Sequence, residues 1–144
     1  FGIKIQENFN HPYLATSIVD FWRRWHLSLS QWCQSYVYMP TLGAFRQPII
    51  ALIFSFAVIA FWHSFSLNRV NWMLMQVLGV WVCSRWAQRR RQYQWKWPQQ
   101  KWWLVCSWVM AQAYMTSTYA FIAGGETNPY WQSWSLLFHA CGLL

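Results

Sequence analysis

Near residue 46 the chain changes character, from mixed apolar and polar positions to long apolar runs joined by short polar links. Crossing the hydrocarbon of a bilayer takes about 20 largely apolar residues in a helix. Residues 48–66 fit that length, with no charge between Arg46 and Arg69. A second run, 70–87, meets Arg85 only near its end, and a third, 102–123, is uncharged throughout. A fourth begins near Tyr130 and continues to residue 144. Pro98 ends whatever precedes it, and Gly124-Gly125 with Asn128-Pro129 mark a turn. The pattern predicts an all-α fold, a polytopic membrane helical bundle with four candidate spans.

Residues 1–45 are patterned differently. Thr16 or Ser17 is placed to cap a helix, and Asp20 falls in its first turn, where a negative charge suits the dipole. Asp20 also precedes Arg23 and Arg24 by three and four residues, the spacing of a helical ion pair. On one continuous helix Trp22, His26, Ser30 and Cys33 share a face, with Phe21, Trp25, Leu29 and Trp32 beside it. Such a helix is too polar to span, so an interfacial or re-entrant segment is expected. Met39-Pro40 followed by Gly43 is expected to end it.

Composition supports the membrane reading. Hydrophobic residues make up 56% of the chain and charged residues 10%, against roughly a quarter charged in soluble domains. The 14 tryptophans favour the membrane–water boundary. The net charge of +8 does not point to nucleic acid, because six of the 11 basic residues crowd into 85–101, between two apolar runs. Under the positive-inside rule that link is a cytoplasmic loop. Arg46 and the Arg23-Arg24 pair then lie on the same side and Glu126 on the other, as in a multi-pass protein of the inner (cytoplasmic) membrane. Cys33, Cys83, Cys106 and Cys141 are scattered, without the spacing of a metal site or a disulfide framework. A start at Phe1 without Met or signal peptide, and an end inside an apolar run, lead us to expect the C-terminal part of something longer.

Four histidines carry the candidate chemistry. His63 lies within run 48–66, and ionisable residues inside spans are functional-site candidates by default. From position alone it is equally well a buried histidine that hydrogen-bonds a neighbouring helix. His26 falls on the polar helix near Arg23 and Ser30, where contact with lipid headgroups is the simpler reading. His11 and His139 receive no role. No carboxylate accompanies His26 or His63, so no metal is expected. There is no GxSxG, phosphate-cradling glycine loop or carboxylate pair. One or two histidines in a dry, aromatic setting suit proton abstraction from a hydroxyl that then attacks an activated acyl group.

These residues resemble a known family. The stretch from Glu7-Asn8-Phe9-Asn10-His11-Pro12-Tyr13 through Phe21-Trp22-Arg23-Arg24-Trp25-His26-Leu27-Ser28-Leu29-Ser30 looks like the signature block of the membrane-bound O-acyltransferase superfamily. It is most similar to the bacterial branch of alginate O-acetyltransferases and the teichoic-acid D-alanyl transfer protein. A Tyr-Xaa-Tyr-Xaa-Pro element follows that block, here Tyr36-Val37-Tyr38-Met39-Pro40, and then a Trp-His pair, here Trp62-His63. The resemblance implies a larger multi-helix fold around a tunnel, with a cytoplasmic acyl donor and an acceptor from the opposite side. It implies that His63 is the catalytic histidine and His26 a second, less universal one. Arg23, Arg24 and Trp62 become candidates for positioning donor or substrate. No bound cofactor is implied. The donor would be acetyl-coenzyme A or an acyl-carrier thioester, the acceptor a hydroxyl of an exported polysaccharide, and the partners the bilayer and other envelope-modifying proteins. Three positions depart from the pattern: Gln34-Ser35 replaces an Arg-Asp, Ser64 replaces a glycine, and Gln76-Val77-Leu78-Gly79 stands where a second His-Gly is usual. A lipid, peptidoglycan or protein acceptor stays open, as does a non-catalytic membrane scaffold or transporter fragment.

Overall fold

A computed structural model of the chain describes residues 2, 7–64, 66–95, 100–123 and 135. Among these the secondary structure is helical, with no strand. A 3-10 turn over Pro12–Leu14 precedes α1 (Ile18–Trp22), which Ser17 caps by accepting the Asp20 N–H at 3.0 Å. The single helix expected beyond Ser17 does not form. Residues 23–26 turn, His26 takes left-handed angles (φ 45, ψ 59), and α2 (Leu27–Cys33) starts afresh. Left-handed backbone costs an ordinary residue about 1–2 kcal/mol, so something outside the helix must hold it. Asn8 does so: its carbonyl accepts the Leu27 N–H at 2.8 Å and its side-chain Oδ1 accepts the Ser28 N–H at 2.9 Å.

α2 runs without a break through a π turn (Gln34–Tyr38) into α3 (Met39–Phe45). Met39-Pro40 therefore begins a helix instead of ending one. Proline lacks an N–H and crowds the carbonyl a turn before it; the wide π turn opens the backbone at that point. The segment ends at Arg46, which is left-handed (φ 54) and donates its N–H to Leu42 O at 2.8 Å.

Three longer helices follow. α4 (Pro48–His63) starts with proline at its first position, after an extended Gln47, as the ring requires. α5 (Leu67–Gln92) is capped by Ser66, whose Oγ accepts the Arg69 N–H at 3.3 Å. It runs through much of the basic link. Arginine, glutamine and alanine favour helix, and Arg89, Arg90 and Arg91 suit the negative end of its dipole. α6 (Lys101–Thr118) and the short α7 (Ala120–Ala123) share the third apolar run. Among the described residues no helix is long and apolar enough to cross a membrane. α4 is apolar but has 16 residues, about 24 Å of helix against a core of about 30 Å. α5 has the length, but Arg85, Arg89, Arg90 and Arg91 occupy its second half. The fourth expected run, 130–144, lies outside the described residues except for Ser135, as do Glu126 and the turn before it.

The core forms where α1 and α2 meet α4, α5 and α7, around Cys33, Phe56, Ile59, Trp72, Val77 and Phe121. Trp22, Phe56 and Trp72 meet pairwise edge to face, with centroids 5.1, 6.0 and 6.4 Å apart. The quadrupoles of aromatic rings favour that geometry. A methyl added to Gly79 would lie 2.7 Å from Ile18 Cδ1 and 2.8 Å from the Tyr114 ring. Glycine here lets α1 and α6 close on α5.

Candidate active site

His63 is the last residue of α4 and is exposed, not deep in a span. The helix stops there because Ser64 turns extended (φ 179, ψ 153). The ring of Trp62 meets the imidazole edge to face at 4.8 Å. Arg69, in the first turn of α5, donates from Nε to Ser64 Oγ at 3.3 Å and fixes the residue after the histidine. His63 lies within electrostatic reach of both Arg69 and His26.

His26 owes its place to the turn between α1 and α2. Its ring is half-buried, tilted against Phe9 at 6.1 Å, and its Nδ1 is buried with no hydrogen-bond partner among the described residues. A buried nitrogen without a partner is uncommon.

The two arginines separate. Arg24 pairs with Asp20, Nε to Oδ1 at 3.0 Å. Arg23 is exposed and lines a cavity of about 260 Å³ between α1, α2, the π turn, α4 and α5. Val19, Trp22, Leu52, Phe56, Ile59 and Val80 make its walls apolar, while Ser30, Gln34 and Tyr38 join Arg23 as polar groups. Neither histidine lines it, but each stands one turn from a residue that does: His26 from Ser30, and His63 from Ile59. Cys33 also faces the cavity, and burial pushes its thiol above the ordinary value. It is protonated at neutral pH and ill-suited to act as a nucleophile. Trp22, Ser30 and Cys33 face one space, as the helical spacing predicts, although the helix that was to align them is broken.

Sequence reasoning missed three residues. Gln76 is fully buried, accepts from Trp22 Nε1 at 3.2 Å and donates to Thr118 Oγ1 at 2.9 Å, tying the cavity wall to α5 and α6. An amide inside an apolar run was the available signal. Arg69 is the sole basic residue in 47–84, a comparable signal. Asn8 stood only as one position of the signature block, because its partners lie in another segment. Among the described residues no three His, Cys, Asp or Glu side chains gather into a metal-sized group.

The profile of the MBOAT, membrane-bound O-acyltransferase family, matches residues 1–124. A peptidoglycan O-acetyltransferase of Helicobacter pylori is 33% identical over 122 residues, 78% of this chain and 23% of that protein. A probable alginate O-acetylase of Azotobacter vinelandii is 39% identical over 84 residues, 56% of this chain and 15% of that protein. A teichoic acid D-alanyltransferase of Bacillus subtilis is 58% identical over 38 residues, 26% of this chain and 10% of that protein. The chain spans less than a quarter of the length of these relatives. It belongs to the membrane-bound O-acyltransferase family.

Proposed function

We propose that this member of the membrane-bound O-acyltransferase family moves a small acyl group, acetyl in the first instance, from a cytoplasmic thioester to a hydroxyl of an exported polysaccharide. The observation that carries the reading is that His63 and His26 lie within electrostatic reach of one another, each one turn from a residue lining the apolar cavity that Arg23 also lines. The apolar walls would receive the acyl end of the donor, and Arg23 an anionic group of its carrier, coenzyme A or an acyl-carrier protein. His63 takes the proton of the acceptor hydroxyl. The oxygen attacks the thioester carbonyl, the carbon–sulfur bond breaks, and the thiolate leaves with the proton returned from His63. His26 orients the hydroxyl. Trp62 keeps the His63 ring in place. Arg24, paired with Asp20, holds the α1–α2 turn.

The same reading places the chain in the inner membrane as part of a multi-pass helical bundle around a tunnel. Support comes from the apolar side chains left exposed on the long helices: Ile53 and Phe54 on α4, Leu74, Leu78 and Val82 on α5, Leu104, Val105 and Val109 on α6. Soluble monomers rarely expose contiguous patches beyond a few hundred Å². A helix shorter than the hydrocarbon is accommodated by local thinning of the bilayer and by its neighbours. A second acceptor, peptidoglycan, is favoured by the relative that matches 78% of the chain.

The test supplies labelled acetyl-coenzyme A to membranes that contain the protein and follows the label into exported polysaccharide, peptidoglycan and lipid. Label in polysaccharide supports the proposal, label in peptidoglycan the second acceptor, and label in lipid alone overturns both.

A further inference from the structure

We propose that Asn8 is a positioning residue that holds His26 in its left-handed conformation, and through it the geometry of the histidine pair. The proposal rests on the reading of His26 as a site residue. Three observations carry it. His26 is a non-glycine residue at φ 45, ψ 59 and starts α2 without capping it by its own side chain. Asn8 supplies what is missing: its carbonyl accepts from Leu27 and its Oδ1 from Ser28, the two residues after His26, at 2.8 and 2.9 Å. Next to Asn8, the ring of Phe9 packs on Trp25 at 4.9 Å and on His26 at 6.1 Å, and Asn10 donates its N–H to Arg24 O at 2.9 Å.

The arrangement gripping both sides of His26 therefore comes from Asn8, Phe9 and Asn10, none of which carries a titrating side chain. If Asn8 loses its side-chain acceptor, the Ser28 N–H loses its cap and only the bond from Leu27 to the Asn8 carbonyl is left to hold the turn. The backbone of residue 26 then relaxes towards ordinary angles, and the imidazole swings away from His63. A displacement of about 1 Å in a catalytic group can cost about a hundredfold in rate.

The experiment uses the protein in its membranes, with Asn8→Ala, Asn8→Asp, His26→Ala, His26→Gly and the double variant Asn8→Ala/His26→Gly. Activity is compared at equal folded protein, and thermal midpoints are read in detergent. Asn8→Ala is expected to lower kcat by about ten- to a hundredfold, with KM for the donor within about threefold; Asn8→Asp, which keeps the acceptor, restores most of it. Glycine enters the left-handed region freely. In the wild type, relaxation of residue 26 offsets part of the lost bond. Glycine has no strain to release, so Asn8→Ala should lower the thermal midpoint more in the His26→Gly background than in the wild type.

An equal fall in both backgrounds would overturn the proposal, as would full activity of a folded Asn8→Ala protein alongside an impaired His26→Ala. Should His26→Ala itself keep full activity, the reading of His26 fails. The two thermal midpoints still decide whether Asn8 holds residue 26.

Discussion

In residues 7–46 the helices are short, and turn after turn is fastened by a side chain on the backbone: Ser17 on Asp20, Asn8 on Ser28, Ser30 on Trp25 O. In α4, α5 and α6 such bonds are as common, but those of Ser55, Ser107, Ser117 and Thr118 only return to a carbonyl of their own helix. Much of the order there comes from contact: the Trp22–Phe56–Trp72 rings, the bare backbone at Gly79, the buried Val77 and Ala111. Each region delivers one histidine. His26 is held by a network of specific bonds against the preference of its own backbone. His63 is placed simply by where an apolar helix stops. Directional bonds can impose a strained conformation at one residue, whereas packing sets only which helices meet and at what depth. A site that needs a precise angle at one group and a fixed distance to another draws on both.

If the long helices are held by contact, overfilling one should be the most damaging single change. Gly79→Val forces atoms onto Ile18 and Tyr114 and should lower stability by about 1–3 kcal/mol, read as a fall in thermal midpoint in detergent. Gln76 joins the two regions. Gln76→Leu leaves the Trp22 indole N–H without its acceptor and Thr118 without its donor. It should cost about 1–3 kcal/mol, and a fall in apparent donor affinity should accompany it because Trp22 walls the cavity. Within the hydrogen-bonded region, Ser17→Ala removes a cap and should cost about 1 kcal/mol. Arg24→Gln, at an ion pair about a third exposed, should cost no more than about 0.5 kcal/mol. If Arg24→Gln outweighed Gly79→Val, the contrast between the regions would be misdrawn. Smallest in energy is a reactivity difference: the buried, protonated thiol of Cys33 should alkylate more slowly than exposed Cys106, measured by peptide mass spectrometry.

Much of this was legible in local chemistry. The helical class, the Ser17 cap, the Asp20–Arg24 pair and the start of α4 at Pro48 each follow from neighbours within a few residues. What was not legible depends on partners far along the chain. The break at His26 contradicts the helical pattern around it and is stabilised from Asn8. Pro40 sits inside helical structure because a π turn precedes it. Gln76 stood out only as a departure from a family pattern, until its bonds to Trp22 and Thr118 gave it a role. The exposed position of His63 follows from Ser64 turning extended, which no periodicity announces.

The central claim is that His63 and His26 act as one unit. It is tested most directly by measuring acyl transfer in membranes containing His63→Ala, His26→Ala and the double variant at equal folded protein. The account predicts a loss of about 10²–10⁴-fold for His63→Ala and a smaller one for His26→Ala. The double variant should be no worse than His63→Ala alone, because groups that serve one step are not additive. Wild-type turnover in His63→Ala, or losses that multiply in the double variant, would contradict it.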